Sequence, residues 1–378
     1  MKMNYREIIC LLIFWDLLLN VQHANAQEEI LSDSLLIKTD SLRVKKINFN
    51  GYPYAFYTPE TQLAFGAGGI IVFYTKPSDT ILKPSKIGFG GHYSTNNQYK
   101  LSVNPALYFN ENKLFIRTPI SFGVFVDKFW GIGNDTQENG TEQYERETIT
   151  ASFILQSPPI LFSASRSGII LEYDKTTITD KKENELLKND SIVGNKGGEL
   201  YGIGYDLTWD SRDNIFFPNK GGYQYFKLII YPEFSDYNFG LLELDVSRYI
   251  SFKEDHVFAF NLYMSSALGT APFYKLPALG GQKRMRGYFN GRYRDNFYAT
   301  LQLEYRQYFW KKFGFVAFGG IGDVSSELIT YDFSTVKYSI GGGLRYLFNK
   351  KQKINLRMDI AVGRDGNTGI YFGLEEAF

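Results

Sequence analysis

The segment TLQLEYRQY, residues 300–308, alternates without a break: Leu301, Leu303 and Tyr305 take one face, and Thr300, Gln302, Glu304 and Arg306 the other. A period of two marks a β-strand, because successive side chains leave opposite faces of a sheet. The pattern recurs upstream in YGIGYDLTWD (201–210), where Tyr201, Ile203, Tyr205, Leu207 and Trp209 oppose Gly202, Gly204, Asp206, Thr208 and Asp210. Downstream it runs through Val336, Tyr338, Ile340, Gly342, Leu344, Tyr346 and Phe348, then through Ile354, Leu356, Met358, Ile360 and Val362. These runs reach about 10 to 14 residues, whereas strands in soluble sheets average about five or six. That length suits a tilted strand crossing a bilayer.

One face of the runs is oily and the other carries ions. A soluble sandwich would show the same alternation with its oily face inward. Three observations favour a membrane barrel: the strand lengths, the aromatics at strand ends (Phe129, Trp130, Tyr298, Tyr308, Phe309, Trp310) and an export-type start. MKMNYR is basic, IICLLIFWDLLL is a short apolar run interrupted by Asp16, and Ala24-Asn25-Ala26 is a small-residue cleavage site. Residues 1–26 therefore read as a signal peptide, leaving Gln27 as the new N-terminus. Residues 27–50 read as a polar periplasmic lead-in, and 51–378 as the barrel, with no second domain.

Cys10, the single cysteine, falls inside the signal, so the mature chain would have no disulfide or thiolate metal site. No later segment offers 18 consecutive apolar residues, which excludes a spanning helix but not a closed barrel. Lys plus Arg number 41 against 40 Asp plus Glu, a balance that gives no reason to expect nucleic acid. The 28 Tyr, 32 Phe and 36 Gly against 12 Pro favour strands and tight turns. The expected location is the outer membrane of a Gram-negative-type bacterium.

Short turns are expected at Asn96-Asn97, Asn110-Glu111-Asn112 and Asn349-Lys350-Lys351, alternating with long loops at 76–85, 130–142, 176–197 and 269–295. Fifteen strands separate cleanly, ten before the last of these loops and five after it. Closed bacterial barrels normally have an even count, so about 16 are expected, with Ile47 to Tyr57 a candidate for the missing one. The fold class is thus all-β, a transmembrane antiparallel β-barrel.

Between these strands lies LPALGGQKRMRGYFNGRYRDN (276–296), with five lysines or arginines in a glycine-rich run. On the residues alone, a solvated external loop facing lipopolysaccharide phosphates fits as well as a loop folded inward. Its Met285-Arg286-Gly287-Tyr288 resembles the [VIL]-R-G-[FY] motif in the sixth extracellular loop of the bacterial surface antigen family, the BamA/TamA-like outer-membrane assembly and translocation barrels. Leu276-Pro277, Leu279-Gly280-Gly281 and Gly291-Arg292-Tyr293-Arg294-Asp295 around it are similar to that family too. So are Asp210-Ser211-Arg212-Asp213 with Pro218 and Gly221, a D-[ST]-R-D…P…G hairpin. Phe129-Trp130-Gly131-Ile132-Gly133-Asn134-Asp135-Thr136 and Tyr57-Thr58-Pro59-Glu60-Thr61 resemble its short members, which lack POTRA domains, and the lead-in is too short to hold one.

The resemblance implies that the loop folds back into the barrel and that Arg286 meets acids on the inner wall. Physics agrees, since a lumenal cation avoids lipid and gains charge-assisted hydrogen bonds from a waiting carboxylate. Parity turns Glu304 inward, so an Arg286–Glu304 contact is expected, and Gly287 lets the backbone turn beside it. Many relatives carry F-x-D-x-G on the following strand. Here Phe318-Gly319-Gly320-Ile321-Gly322-Asp323 has glycine at the acid's position, leaving Asp323, three residues on, as the second expected partner. Asp210, Arg212, Asp213, Pro218 and Gly221 also suit a tight structural hairpin. The final strand, with Ile370, Phe372, Leu374 and Phe378 on one face, resembles a barrel insertion signal, although Glu376 stands where an aromatic is common.

His92 and His256 lie far apart, and no nucleophile elbow, HExxH or phosphate loop occurs, so no enzyme, metal or cofactor is expected. The resemblance implies a barrel that assists insertion or translocation of proteins through a weak seam between its first and last strands; the alternative is a passive or structural barrel. Its implied partners are outer-membrane lipid and lipopolysaccharide, unfolded outer-membrane or exported proteins, and a periplasmic protein.

Overall fold

The computed structural model of the chain describes residues 47–378 apart from 80, 139, 141, 159–163, 182, 254–255, 311, 328–333 and 350–353. The expected signal peptide, with Cys10, and the lead-in up to residue 46 lie outside the described residues, as does most of the turn expected at 349–351. In chain order the strands are β1 (Asn48–Thr58), β2 (Gln62–Phe73), β3 (Ser85–Ser94), β4 (Tyr99–Phe109), β5 (Leu114–Arg117), β6 (Ile120–Lys128), β7 (Gln143–Ser157), β8 (Arg166–Asp180), β9 (Gly197–Asp210) and β10 (Gly221–Tyr231). They continue with β11 (Phe239–Lys253), β12 (His256–Gly269), β13 (Ala278–Leu279), β14 (Tyr293–Arg294), β15 (Phe297–Trp310), β16 (Phe313–Ser325), β17 (Lys337–Asn349), β18 (Ile354–Gly363) and β19 (Thr368–Leu374).

All but β13 and β14 belong to one antiparallel sheet that closes on itself. β5 and β6 share one place in the wall, both lying between β4 and β7, so the barrel has 16 places. The break falls at Thr118-Pro119, where proline has no N–H for the ladder. β1 fills the place that the sequence left open.

The two faces of the wall are inverted relative to a soluble protein. Leu303, Ile340 and Ile360 are 44%, 64% and 52% exposed, whereas Glu304 and Asp359 are 0% and Arg286 and Arg306 1%. An oily exterior and an ionic interior are stable only where the surroundings are lipid, and full closure leaves few backbone groups unpaired there. The alternation of 300–306 holds in detail: Leu301 and Leu303 face out, and Thr300, Gln302, Glu304 and Arg306 are buried within.

Loop length does not alternate strictly. Connections 129–142, 181–196 and 270–296 lie at the end opposite the start of β1, which the longer loops mark as the outer side. The 74–84 connection, however, lies at the inner end, and the short Asn96-Asn97 turn at the outer one. Segment 74–84 is long because it folds onto its neighbour: Asn112 Oδ1 accepts the Lys83 N–H (2.7 Å), and Asn112 Nδ2 donates to the Ile81 carbonyl (2.8 Å).

Candidate functional site

The connection from β12 to β15 enters the lumen and carries the two-stranded β13–β14 ribbon. Its tip is forced by local geometry. Met285 and Gly287 have φ of +52° and +108°, a turn that presents Arg286 to the wall. Met285 is fully buried; its backbone N–H donates to Gln302 Oε1 (3.3 Å). Tyr288, also fully buried, donates through its hydroxyl to the Tyr338 carbonyl (2.8 Å) and accepts the Arg364 N–H (2.7 Å).

Arg286 is held by two acids and a ring. Nη2 donates to Glu304 on β15, Nη1 donates to Asp359 Oδ2 on β18 (2.6 Å), and the guanidinium lies 3.5 Å from the Phe318 ring centroid on β16. Each acid serves a second cation: Arg306 Nε donates to Glu304 Oε2 (2.8 Å), and Arg345 Nη1 to Asp359 Oδ1 (2.6 Å). Arg345 Nε then reaches Glu376 (2.8 Å), and Arg357 Nε stands 3.7 Å from Asp359. Ions buried this way are tolerable because each carboxylate is shared between guanidinium groups.

The second acid is Asp359 and not Asp323. At Asp323 the parity of β16 turns outward, like Ile321, and the residue sits at the strand's outer end. Its Oδ2 accepts from Thr335 Oγ1 (2.9 Å) and Asn134 Nδ2 (3.4 Å). Glycines make the replacement feasible: Gly320, Gly341 and Gly343 leave inward gaps on β16 and β17. A Cβ at Gly343 would lie 2.0 Å from Asp359 Oδ1, one at Gly341 2.4 Å from the Phe318 ring, and one at Gly320 3.1 Å from Met285 Sδ. Asp359 was legible as inward by parity, but no local signal tells which inward acid a loop 73 residues away will meet.

The 129–136 motif grips the base of the same loop. The Gly133 N–H donates to the Arg294 carbonyl (2.8 Å), and Arg292 donates to the Thr136 hydroxyl (3.0 Å) and carbonyl (2.9 Å). Arg294 lies over the Phe129 and Phe273 rings, and Arg284 pairs with Asp245 (2.7 Å) on β11, beside the strand from which the loop leaves. The Tyr57–Thr61 motif contributes Glu60, whose Oε1 accepts the Asn290 N–H (2.7 Å).

At the inner end the Asp210 hairpin is structural. Arg212 binds both oxygens of Asp210 (2.8 and 2.7 Å), and Asp213 Oδ1 accepts the backbone N–H groups of Asn219 and Lys220. Gly221 has φ +92°, and Pro218 is buried beside Phe217, whose ring meets Tyr308 at 5.3 Å. The last strand corrects an expectation. Ile370 and Phe372 face out, and the side chain of Leu374 lies outside the described set, but Phe378 does not share their face. The chain turns inward at Glu375 (φ +66°), bringing Glu376 to Arg345, and Phe378 packs against the cluster of Tyr249, Val257 and Ala259. The Phe378 carbonyl accepts from Arg306 Nη2 (2.9 Å).

The seam is the weak line of the wall. β1 pairs with β2 along its whole length, from Asn48–Val72 to Thr58–Gln62, but with β19 only at Tyr57–Phe372.

Residues 83–378 match the Omp85 superfamily domain. The fold is similar to that of BamA from Haemophilus ducreyi lacking POTRA domains 1–3, at 14% identity and a TM-score of 0.63, covering 88% of this chain and 70% of that one. CdiB from Acinetobacter baumannii aligns at 11% identity and a TM-score of 0.57, over 88% of this chain and 60% of its own. CdiB from Escherichia coli aligns at 11% and 0.55, over 93% and 72%. No curated protein sequence matches the chain.

Proposed function

Because the chain belongs to the Omp85 superfamily and is an outer-membrane β-barrel, we propose that it assists insertion or translocation of proteins at that membrane, with the β1–β19 seam as the point of client entry. The observation that carries this reading is the single register pair Tyr57–Phe372. Backbone N–H and C=O groups left unpaired in hydrocarbon cost several kcal/mol each. An edge that cannot satisfy them within its own barrel is stabilised by any strand that can, and an incoming client strand pairs by β-augmentation. The loop held in the lumen by Arg286 and its acids supports the same reading, since it narrows the path a solute would take through the barrel.

The test is depletion of the protein followed by quantitative proteomics of the outer membrane, together with a photo-crosslinker at Ala55 on β1. Loss of a defined set of outer-membrane or exported proteins, with one of them crosslinked to Ala55, is expected. An unchanged proteome, with a large steady conductance in planar bilayers that Arg286→Ala does not alter, would instead establish a passive channel.

A further inference from the structure

We propose that the lumenal loop is also the clasp of the seam, held to β1 through Glu60 and to β19 through Tyr371. The inference deepens the reading of the seam as the client's entry and rests on it for its biological purpose, though not for its geometry.

Two edges that share one register pair are held together by something other than the ladder. On the β1 side, Glu60 lies in the turn directly after the strand and accepts the Asn290 N–H at 2.7 Å. That turn is a firm anchor. The Thr58 and Thr61 hydroxyls bond to each other (2.9 Å), and the Glu60 carbonyl accepts from Asn96 Nδ2 (3.0 Å) and Gln98 Nε2 (2.7 Å). Gln98 Nε2 also reaches the Val126 carbonyl (3.1 Å), so the turn is tied to the wall as far as β6.

On the β19 side, the Tyr371 hydroxyl accepts the Gly287 N–H (3.0 Å) and lies 3.4 Å from the Tyr288 carbonyl, to which it donates. Tyr371 is fully buried on the inner face of its strand. Gly287 is pressed so closely to β18 that a Cβ there would meet the Gly363 nitrogen at 3.1 Å. Residues 287 and 290, three apart in one loop, thus hold opposite sides of the seam.

The two grips differ in strength. Arg286, Gly287 and Tyr288 fasten the loop to β15, β17, β18 and β19, whereas on β1 and its turn it is Glu60 that receives it. Opening the seam therefore does not require the plug to leave. The loop stays with the C-terminal strands and with the 129–136 segment, and release of Asn290 from Glu60 frees the end of β1 from it. Glu60 and Tyr371 are positioning residues, acting through the loop on the separation of the two strands.

Cys10 is the single cysteine of the chain, so in a Cys10→Ser background nitroxide labels can be placed at Leu63→Cys, beside β1, and Asp365→Cys, before β19, in full-length protein in liposomes. Electron–electron resonance then reads their separation without any client. Glu60→Ala and Tyr371→Phe, confirmed as folded by heat-modifiable migration, are each expected to lengthen or broaden the distribution. The added population should lie about 5 Å further out, one interstrand spacing. Glu60→Gln, which keeps an acceptor, should retain the parent distribution. Parent-like distributions in both Glu60→Ala and Tyr371→Phe would overturn the clasp. Widened distributions in a protein whose depletion leaves the outer-membrane proteome intact would support the clasp and refute the assembly role.

Discussion

Replacing Asp359 by Asn tests the lumenal lock at its least local point. Asn has nearly the same volume, so packing is preserved while chemistry changes. The carboxylate accepts from Arg286 at 2.6 Å through one oxygen and from Arg345 at 2.6 Å through the other, with no exposure to solvent. An amide can accept on one side only and turns an NH2 toward a guanidinium on the other. One charge-assisted bond is lost and its partner weakened, each worth about 1.5–3 kcal/mol, so the cost is about 3–5 kcal/mol, the usual range for breaking a buried pair. It is not larger, because Arg286 keeps Glu304 and Arg345 keeps Glu376. A shift of 3 kcal/mol at the loop multiplies its undocked population by roughly a hundredfold or more. The assay is trypsin cleavage after Lys283 or Arg284 in folded barrels, alongside the temperature of the heat-modifiability transition. Asp359→Asn should cleave faster and unfold at lower temperature. Asp323→Asn should leave loop cleavage unchanged, since its carboxylate serves Thr335 and Asn134. Equal behaviour of the two variants, or a parent-like Asp359→Asn, would refute the assignment.

Gly343→Ala should loosen the same lock from the neighbouring strand, where it pairs with Asp359, because its Cβ would sit 2.0 Å from Asp359 Oδ1; a loss of about 1–3 kcal/mol in unfolding stability is expected. Leu303→Lys, near the middle of β15 on the lipid face, should cost about 2–4 kcal/mol in refolding into bilayers, and a negligible effect would argue against the outward assignment. Glu60 predicts a pH dependence. Burial pushes its carboxyl above the usual range, helped by Asp127, and the hydrogen bonds from Asn290 and Thr58 offset this only in part. A raised folded value means that its contribution to stability is full below about pH 4.3, the ordinary carboxylate value, and is lost as pH rises through the raised one. Glu60→Gln should abolish that limb in a pH series of unfolding midpoints.

The period-two pattern made the wall legible because in a membrane barrel each strand solves the same problem, oil outside and ions within. Parity alone therefore placed Glu304 inside and Ile370 and Phe372 outside. What parity lacks is distance across the lumen. It assigns Asp359 to the interior but cannot say that a glycine stripe on β16 and β17 leaves that acid in reach of Arg286 while the nearer Asp323 is spent on Thr335 and Asn134. Strand β1 was the least distinct of the set, and it forms the edge with the poorest pairing. The inward turn at Glu375 also escapes a face-counting argument, because one residue at φ +66° resets the parity of those after it. Glu376, out of place on a lipid-facing stripe, is the one local sign of that turn, and the Arg345 guanidinium accounts for it.

That turn has a temporal consequence. Residues 376 and 378 are sequestered against Arg345, Arg306 and the inner wall once the cylinder is complete. Any cellular factor that reads these side chains as an address must do so on the nascent or half-assembled chain, and the finished molecule withdraws the label. Recognition would then report assembly status as well as destination, distinguishing polypeptides still awaiting their place from those already seated.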